Sequence, residues 1–344
     1  MRQFLLVVPI MFTILVSGCT SLPGGFCIPG LTCGTTVTKT DDIIVIESIQ
    51  ALPDNVPPDG TIKLVAIVSN VADVDAEIKN IPVTVVLYDY CQGLFKLVKG
   101  ANGKIKPEIK LNLLRGEKAQ VEWTLQALGK DQVSVETECT LKILARYPYA
   151  TRSISTLHLI DYTEMQRRIS EGTYKEVGSY QSIGYGPIKP YITVEGTQPI
   201  PVEGNKINTV LSLQVKNQGN GFLTTESGTT TATGPLITED MLKITALSQE
   251  SVAVKIKDQL DTCITEFFKD KTVKGLKLIK GETTKIMCTI TPEIDAGNVP
   301  VESTKLIQAS VGLKDGKTFE PDDEKTSYFY EFRKEIKVKV EPKF

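Results

Sequence analysis

The chain of 344 residues is poor in the side chains that most often carry chemistry: it holds one histidine, His158, and one tryptophan, Trp123. A serine or cysteine triad needs an oriented base, and a histidine-rich metal site needs several imidazoles. A lone His excludes most enzymes of both kinds. His158 stands in Leu157-His158-Leu159; alternation turns it away from the leucine face, so it reads as a structural residue. No C-x-x-C pair is present, which removes the usual zinc frameworks. No Asn begins an N-x-S/T sequon, so N-glycosylation is not expected. Lys and Arg (39) nearly balance Asp and Glu (41) and are interspersed; the absence of a basic stripe argues against nucleic acid. After the first twenty residues no long apolar run occurs, and Lys337–Phe344 reads as a strand end without an anchor.

What is present begins at the N-terminus. Arg2 precedes the apolar run Phe4–Val16, which has the length of a signal h-region and falls short of the roughly 20 residues of a spanning helix. It ends in Val16-Ser17-Gly18-Cys19, which resembles the lipobox of bacterial and archaeal lipoproteins. That resemblance implies a signal peptide over 1–18 and a covalent lipid on Cys19. Two acyl or isoprenoid chains, at about 0.8 kcal/mol per buried methylene, hold a protein stably on the extracytoplasmic face of a membrane.

Seven cysteines are present: Cys19, Cys27, Cys33, Cys91, Cys139, Cys263 and Cys288. Setting Cys19 aside as the lipid site leaves six, which admit fifteen pairings. Their segregation along the chain favours Cys27–Cys33, Cys91–Cys139 and Cys263–Cys288, as befits an oxidising compartment. The first pair would stiffen a tether over 19–40.

The rest of the chain is written twice. Leu111–Glu117 (LNLLRGE) recurs as Leu276–Glu282 (LKLIKGE), 165 positions on, with alternating apolar residues continuing after both. Each copy reads as strand, turn, strand. Period-2 segments dominate both halves: Asp42–Ala51, Thr61–Asn70, Pro82–Tyr90, Lys118–Gln126, Glu136–Tyr147 and Arg152–Ile160, then Tyr191–Glu195, Asn208–Lys216, Leu242–Leu247, Val252–Ile256, Thr283–Thr291, Lys305–Leu313 and Tyr328–Val340. The expected class is all-β, with two β-sandwiches in tandem. The expected division is 41–161, a connector over 162–188, and 189–344.

Leu213-Gln214-Val215-Lys216-Asn217-Gln218-Gly219-Asn220 resembles the V-x-N-x-G strand end of CARDB-type modules, the Ig-like adhesion-related domains of prokaryotic surface proteins, and the resemblance leans toward an archaeal source. Ile67-Val68-Ser69-Asn70, followed by Ile81–Asp89, resembles the same strand, turn and strand, without the Gly. The Asn side chain suits a turn cap, and Gly the positive φ a turn there would need. The resemblance implies Ig-like sandwiches and a surface setting, and no reaction.

In the connector, Thr163 and Gln166 fit a capping box and Gly172 a C-terminal stop, so a helix is expected over Glu164–Glu171. The segment Lys257–Gly275 reads as an excursion stapled by Cys263. Trp123 shares a face with Val121 and Leu125 and is expected in the core near Cys91 and Cys139.

Two sets of side chains are candidates for binding. Asp73, Asp75 and Glu77 alternate and offer oxygens to Ca²⁺, although the glycine and distal Glu of an EF-hand are missing and a solvated loop accounts for them. No other cofactor is expected. Of eleven tyrosines, Tyr147, Tyr149, Tyr162, Tyr174, Tyr180, Tyr185 and Tyr191 crowd around the connector; they serve either a partner or glycan contact or the joint between the halves. The function expected is a non-catalytic, membrane-anchored adhesion, structural or protein-interaction module meeting other envelope proteins or surface glycans. The alternatives are an extracytoplasmic ligand- or carbohydrate-binding accessory, and an envelope or filament subunit whose Thr35–Ile49 adds to a neighbour's sheet.

Overall fold

The computed structural model describes residues 41–73, 78, 80–99, 106–224, 236–248, 250–269, 275–278, 281–294, 301–313, 319–320 and 327–341. Cys19, Cys27, Cys33, Asp75 and Glu77 lie outside the described residues, as do the signal and tether assignments.

The described chain is mostly β-strand, with two α-helices. Its first half contains β1 (Ile44–Leu52), β2 (Asn55–Val56), β3 (Thr61–Asn70), β4 (Asn80–Asp89), β5 (Phe95–Lys99), β6 (Glu108–Leu114), β7 (Lys118–Ala127), β8 (Thr137–Tyr149) and β9 (Thr151–Asp161). Helix α1 (Tyr162–Ser170) and β10 (Gln181–Ile183) follow. The second half contains β11 (Ile188–Val194), β12 (Ile200–Glu203), β13 (Lys206–Ile207), β14 (Thr209–Asn217), β15 (Phe222–Thr224), β16 (Leu236–Ile237), β17 (Leu242–Ala246), α2 (Ser251–Lys269), β18 (Leu276–Lys277), β19 (Ile286–Ile290), β20 (Glu302–Val311) and β21 (Tyr328–Val340). Alternation does what period 2 requires: in β3 the even positions Ile62, Leu64, Ala66 and Val68 are fully buried.

Two pairs of sheets result, with a separate two-stranded sheet, β16-β18. The sheet β1-β3-β7-β5 packs on β15-β21-β8-β4-β6, and β11-β14-β19 packs on β13-β12-β9-β20-β17. The division expected at residue 161 does not follow these sheets. Strand β9, from the first half, lies in the second sandwich, paired with β20 from Thr151↔Val311 to Ile160↔Glu302. Strand β21, the last of the second half, lies in the first sandwich, paired with β8 from Tyr149↔Tyr328 to Thr137↔Val340. Each half gives its final strand to the other. The physical cause lies at Ala150, the single residue between β8 and β9. With one buried residue and no turn chemistry there, the chain crosses into the second sandwich instead of folding back as a hairpin.

The repeat survives this exchange. Gly116 and Gly281, the shared turn glycines, have φ of 77° and 86°, a region costly for any side chain. Each meets the equivalent asparagine. Gly116 N–H donates to Asn70 O at 2.9 Å, and Asn217 N–H donates to Gly281 O at 2.6 Å. Both asparagines cap turns through Oδ1, accepting from Ala72 N and from Gly219 N. Gly219 serves another end than the expected one. No positive φ is involved; a Cβ there would stand 2.3 Å from Asp42 Oδ1 and 2.4 Å from the Tyr330 hydroxyl.

Two local expectations are corrected. Helix α1 starts two residues earlier than expected, because Asp161 is the N-cap: its Oδ1 accepts from Thr163 N and Glu164 N at 2.9 and 3.1 Å. Gly172, with φ of 67°, does follow its end. Val252–Ile256, expected as a strand, lies in the 19-residue α2. The β-branched pattern there is overridden by a longer helical stripe, Val252, Ala253, Ile256, Leu260 and Ile264, all buried. Each large side chain in that stripe contributes about 1.5–3 kcal/mol on burial.

Two disulfides hold loops and helix to the sheets. Cys91, just after β4, is joined to Cys139 on β8, within one sheet rather than across the sandwich. Cys263 of α2 is joined to Cys288 of β19. Trp123 is fully buried in the same core as Cys139 and donates its Nε1–H to Pro107 O at 3.1 Å.

Candidate functional site

The expected tyrosine patch divides in two. Tyr147 and Tyr149 on β8 are completely buried, so they are corrected from contact residues to core. They form edge-on contacts with Tyr330 (5.9 Å) and Tyr328 (6.3 Å) of the exchanged strand β21. Inward-facing positions of paired strands bring these four rings together exactly where the two sandwiches meet. Tyr185 joins them through polar tips: its hydroxyl donates to Asp42 O, and its carbonyl accepts from the Tyr149 hydroxyl, both at 3.3 Å. Tyr191 is half-buried, accepts from Gln218 Nε2 at 2.6 Å and faces the Lys216 ammonium. Tyr174 is half-buried, while Tyr162 and Tyr180 are exposed.

The same joint holds a buried carboxylate. Asp42 is fully buried, and its oxygens accept from Asn220 N (3.1 Å) and Nδ2 (3.2 Å). Beside it, Asp41 pairs with Lys189 at 2.8 Å. Burial raises the Tyr147, Tyr328 and Tyr330 phenols above the ordinary tyrosine range. These groups are locked to one another, so the joint is a rigid core and not a groove.

Asp73 is half-buried at the end of the strand region, and the other two members of the acidic set lie outside the described residues. Among the described residues no cluster of three or more His, Cys, Asp or Glu is arranged to hold a metal ion. His158 is bonded through Nδ1 to Thr304 Oγ1 at 3.0 Å, and its main-chain N–H donates to Gln198 Oε1. Of the expected strand donor Thr35–Ile49, residues 35–40 lie outside the described residues, and Ile44–Ile49 belongs to β1, paired in its own sheet with β3.

A concave surface lies elsewhere. Between β17 and α2 runs a groove of about 590 Å³, lined by Leu242–Ala246 on one side and by Val254, Lys257, Asp261 and Thr265 on the other. Strand β17 is the edge of its sheet. Met241 O accepts from Gly312 N, and Leu247 N donates to Leu306 O. Odd residues therefore face β20, and the main-chain groups of Leu242, Ile244 and Ala246 face the free edge of the sheet, beside the groove. Leu242 N–H turns back to Glu239 O. Among the described residues Ile244 and Ala246 have no main-chain partner on the groove side.

The walls of this groove are set. Thr265 Oγ1 donates to Glu239 Oε1 at 2.8 Å, fixing α2 against the turn that precedes β17. Lys257 pairs with Asp261 at 2.7 Å, and that hydrogen bond holds its ammonium above the ordinary lysine value. The Cys263–Cys288 bond fixes the helix from the far side. The groove went unseen in the sequence because Val252–Ile256 looked like a strand. The apolar stripe continuing to Ile264 was the signal that could have found it.

No family model and no curated protein matches the chain. Among solved structures, it is similar to the secreted serine protease VesC from Vibrio cholerae at 11% identity and a TM-score of 0.17, over 84% of this chain and 51% of that one. The chain thus spans about half the length of that protease. It is also similar to the collagen adhesin CNA from S. aureus at 11% identity and a TM-score of 0.13, over 86% and 94% of the two chains. Likenesses of this size carry nothing about function.

Proposed function

We propose that this chain is a non-catalytic, lipid-anchored protein of the extracytoplasmic membrane surface, which holds an extended segment of another envelope protein by strand addition. The observation that carries the reading is the unpaired edge of β17 facing α2. Strand addition draws affinity from main-chain hydrogen bonds and specificity from pockets for alternate side chains. The groove offers both: the N–H and C=O groups of Ile244 and Ala246, and the side chains of Val254 and Ile264 opposite. The lipobox-like VSGC, the disulfide pairs and the CARDB-like strand ends support the surface setting.

The test uses crosslinking on native membranes, with the intact mass of the recovered chain. Ala246→Pro removes an N–H that points into the groove while leaving the ladder to β20 in place. The expected result is a thioether lipid on Cys19 and an adduct formed by the native chain and lost in Ala246→Pro. An adduct equally strong in the variant sinks the groove, and an unlipidated chain sinks the anchor.

A further inference from the structure

A second surface lies on the outer face of the first sandwich. Arg333 of β21 lies between two rings: its guanidinium carbon is 5.7 Å from the Tyr88 ring centre on one side and 5.2 Å from that of Phe222 on the other. Both rings are large apolar groups left in water, 40% and 55% exposed. The rear of the guanidinium is pinned, because Arg333 Nε donates to Oε1 of Glu331, which is only 1% exposed. Arg146 holds the other oxygen of that carboxylate at 3.2 Å. Leu144, nearly buried, lies directly opposite Arg333 on the adjacent strand. Of the carboxylates on this face, Asp89 is taken by Lys142 at 3.1 Å, and exposed Glu335, two residues along β21, lies opposite that same lysine.

We infer that this face is a binding platform for an acidic polysaccharide, with Arg333 taking the carboxylate of a uronic-acid unit between the rings of Tyr88 and Phe222. The guanidinium carbon lies 5.7 and 5.2 Å from the two ring centres, and the Nε edge is on Glu331. Its Nη atoms have no acceptor among the described residues. A planar fork held in this way is organised in advance for two parallel bonds to an oxyanion. The rings beside it suit the apolar C–H faces of sugar units. A flat sheet face cannot enclose a small anion as a pocket does, but a polymer lying along it sets neighbouring sugar units against the two rings while one carboxylate meets Arg333. A peptide is less suited: its main-chain groups lose water against the rings.

This inference rests on the surface reading above only for where the polymer is met; binding in solution is independent of the lipid and of the β17 groove. The test is calorimetric titration of the detergent-solubilised full chain with polygalacturonate, dextran, polyglutamate and inorganic phosphate. Polygalacturonate is expected to bind, with the other three at least about tenfold weaker. Arg333→Lys keeps the charge and the Glu331 pair but loses the fork, and is expected to weaken binding about tenfold. Phe222→Leu, at an exposed edge position, keeps the fold and is expected to weaken it severalfold. Melting temperature confirms that each variant is folded. No binding of polygalacturonate, equal binding of dextran or polyglutamate, tighter binding of phosphate, or folded variants that bind like the native chain each overturn the proposal.

Discussion

The hydroxyl of Tyr330 donates to Oδ1 of Asn217 at 2.8 Å, joining the C-terminal strand of the chain to the end of β14 in the other sandwich. The same hydroxyl accepts from Gly221 N at 2.8 Å, and Asn217 Nδ2 donates to Gly221 O. One phenol and one amide thus fasten the exchanged strand to the neighbouring sandwich. Tyr330→Phe keeps the ring and leaves the buried Gly221 N–H unpaired, which costs about 1–3 kcal/mol. Urea unfolding measures it, and a loss below the experimental error would show that water replaces the hydroxyl.

Exchange of β9 and β21 makes the two sandwiches thermodynamically one. Removal of β21 strips β8 of its partner on one side along thirteen residues and leaves β15 without its partner, so a chain ending at residue 327 is expected to lose the first sandwich, although most strands of that sandwich come from the first half. The reporter is Trp123, buried in that sandwich. Its emission is expected to shift to the red in the truncated chain. In the intact chain, heating is expected to give one calorimetric transition. Native-like emission after truncation would show that the halves stand alone.

The disulfides close loops with sequence separations of 48 and 25. Loop-closure entropy sets their stabilisation at about 4 and about 3.5 kcal/mol respectively. Cys139→Ser is expected to lower stability by up to that amount, with Trp123 still buried in the native state. Cys263→Ser is expected to free α2 first, seen as faster amide exchange in Ser251–Lys269 than in β14. Equal protection of both elements in the variant would argue that apolar burial alone fixes the helix.

Alkaline pH has a defined direction of effect. Burial raises Tyr147, Tyr328 and Tyr330, and pushes Tyr185 up to about 12, with nearby Asp41 adding to it. In the unfolded chain these phenols ionise near pH ~10. Their contribution to stability is whole below that pH and is lost as pH rises through the folded values. Ultraviolet titration is expected to show the exposed tyrosines ionising first, and the four at the joint releasing protons only as the fold opens. Ionisation of all eleven near pH ~10 with native ellipticity intact would contradict the locked joint.

Much of the fold was legible strand by strand. β3 and β21 begin and end where alternation places them, because one buried face imposes a strict period of two. The repeat found its turn glycines, and Asn70 and Asn217 cap as their motif suggests. Val252–Ile256 misled because five residues of β-branched alternation are shorter than the helical stripe that contains them. At the other helix, Asp161 and Thr163 are both good caps, and the choice between them depended on where β9 stopped.

The amino-acid order alone settled which residues face inward, which cysteines lie close enough along the chain to pair, and that the chain is built of strands. It could not say whose sheet a strand joins. β9 and β21 present the same alternating faces to either sandwich, and pairing energy does not record which half encoded the partner. Only the tertiary structure decided that, through one residue at Ala150 that carries the chain onward, and it thereby placed the tyrosines in the joint and left Arg333 between two rings on the open face.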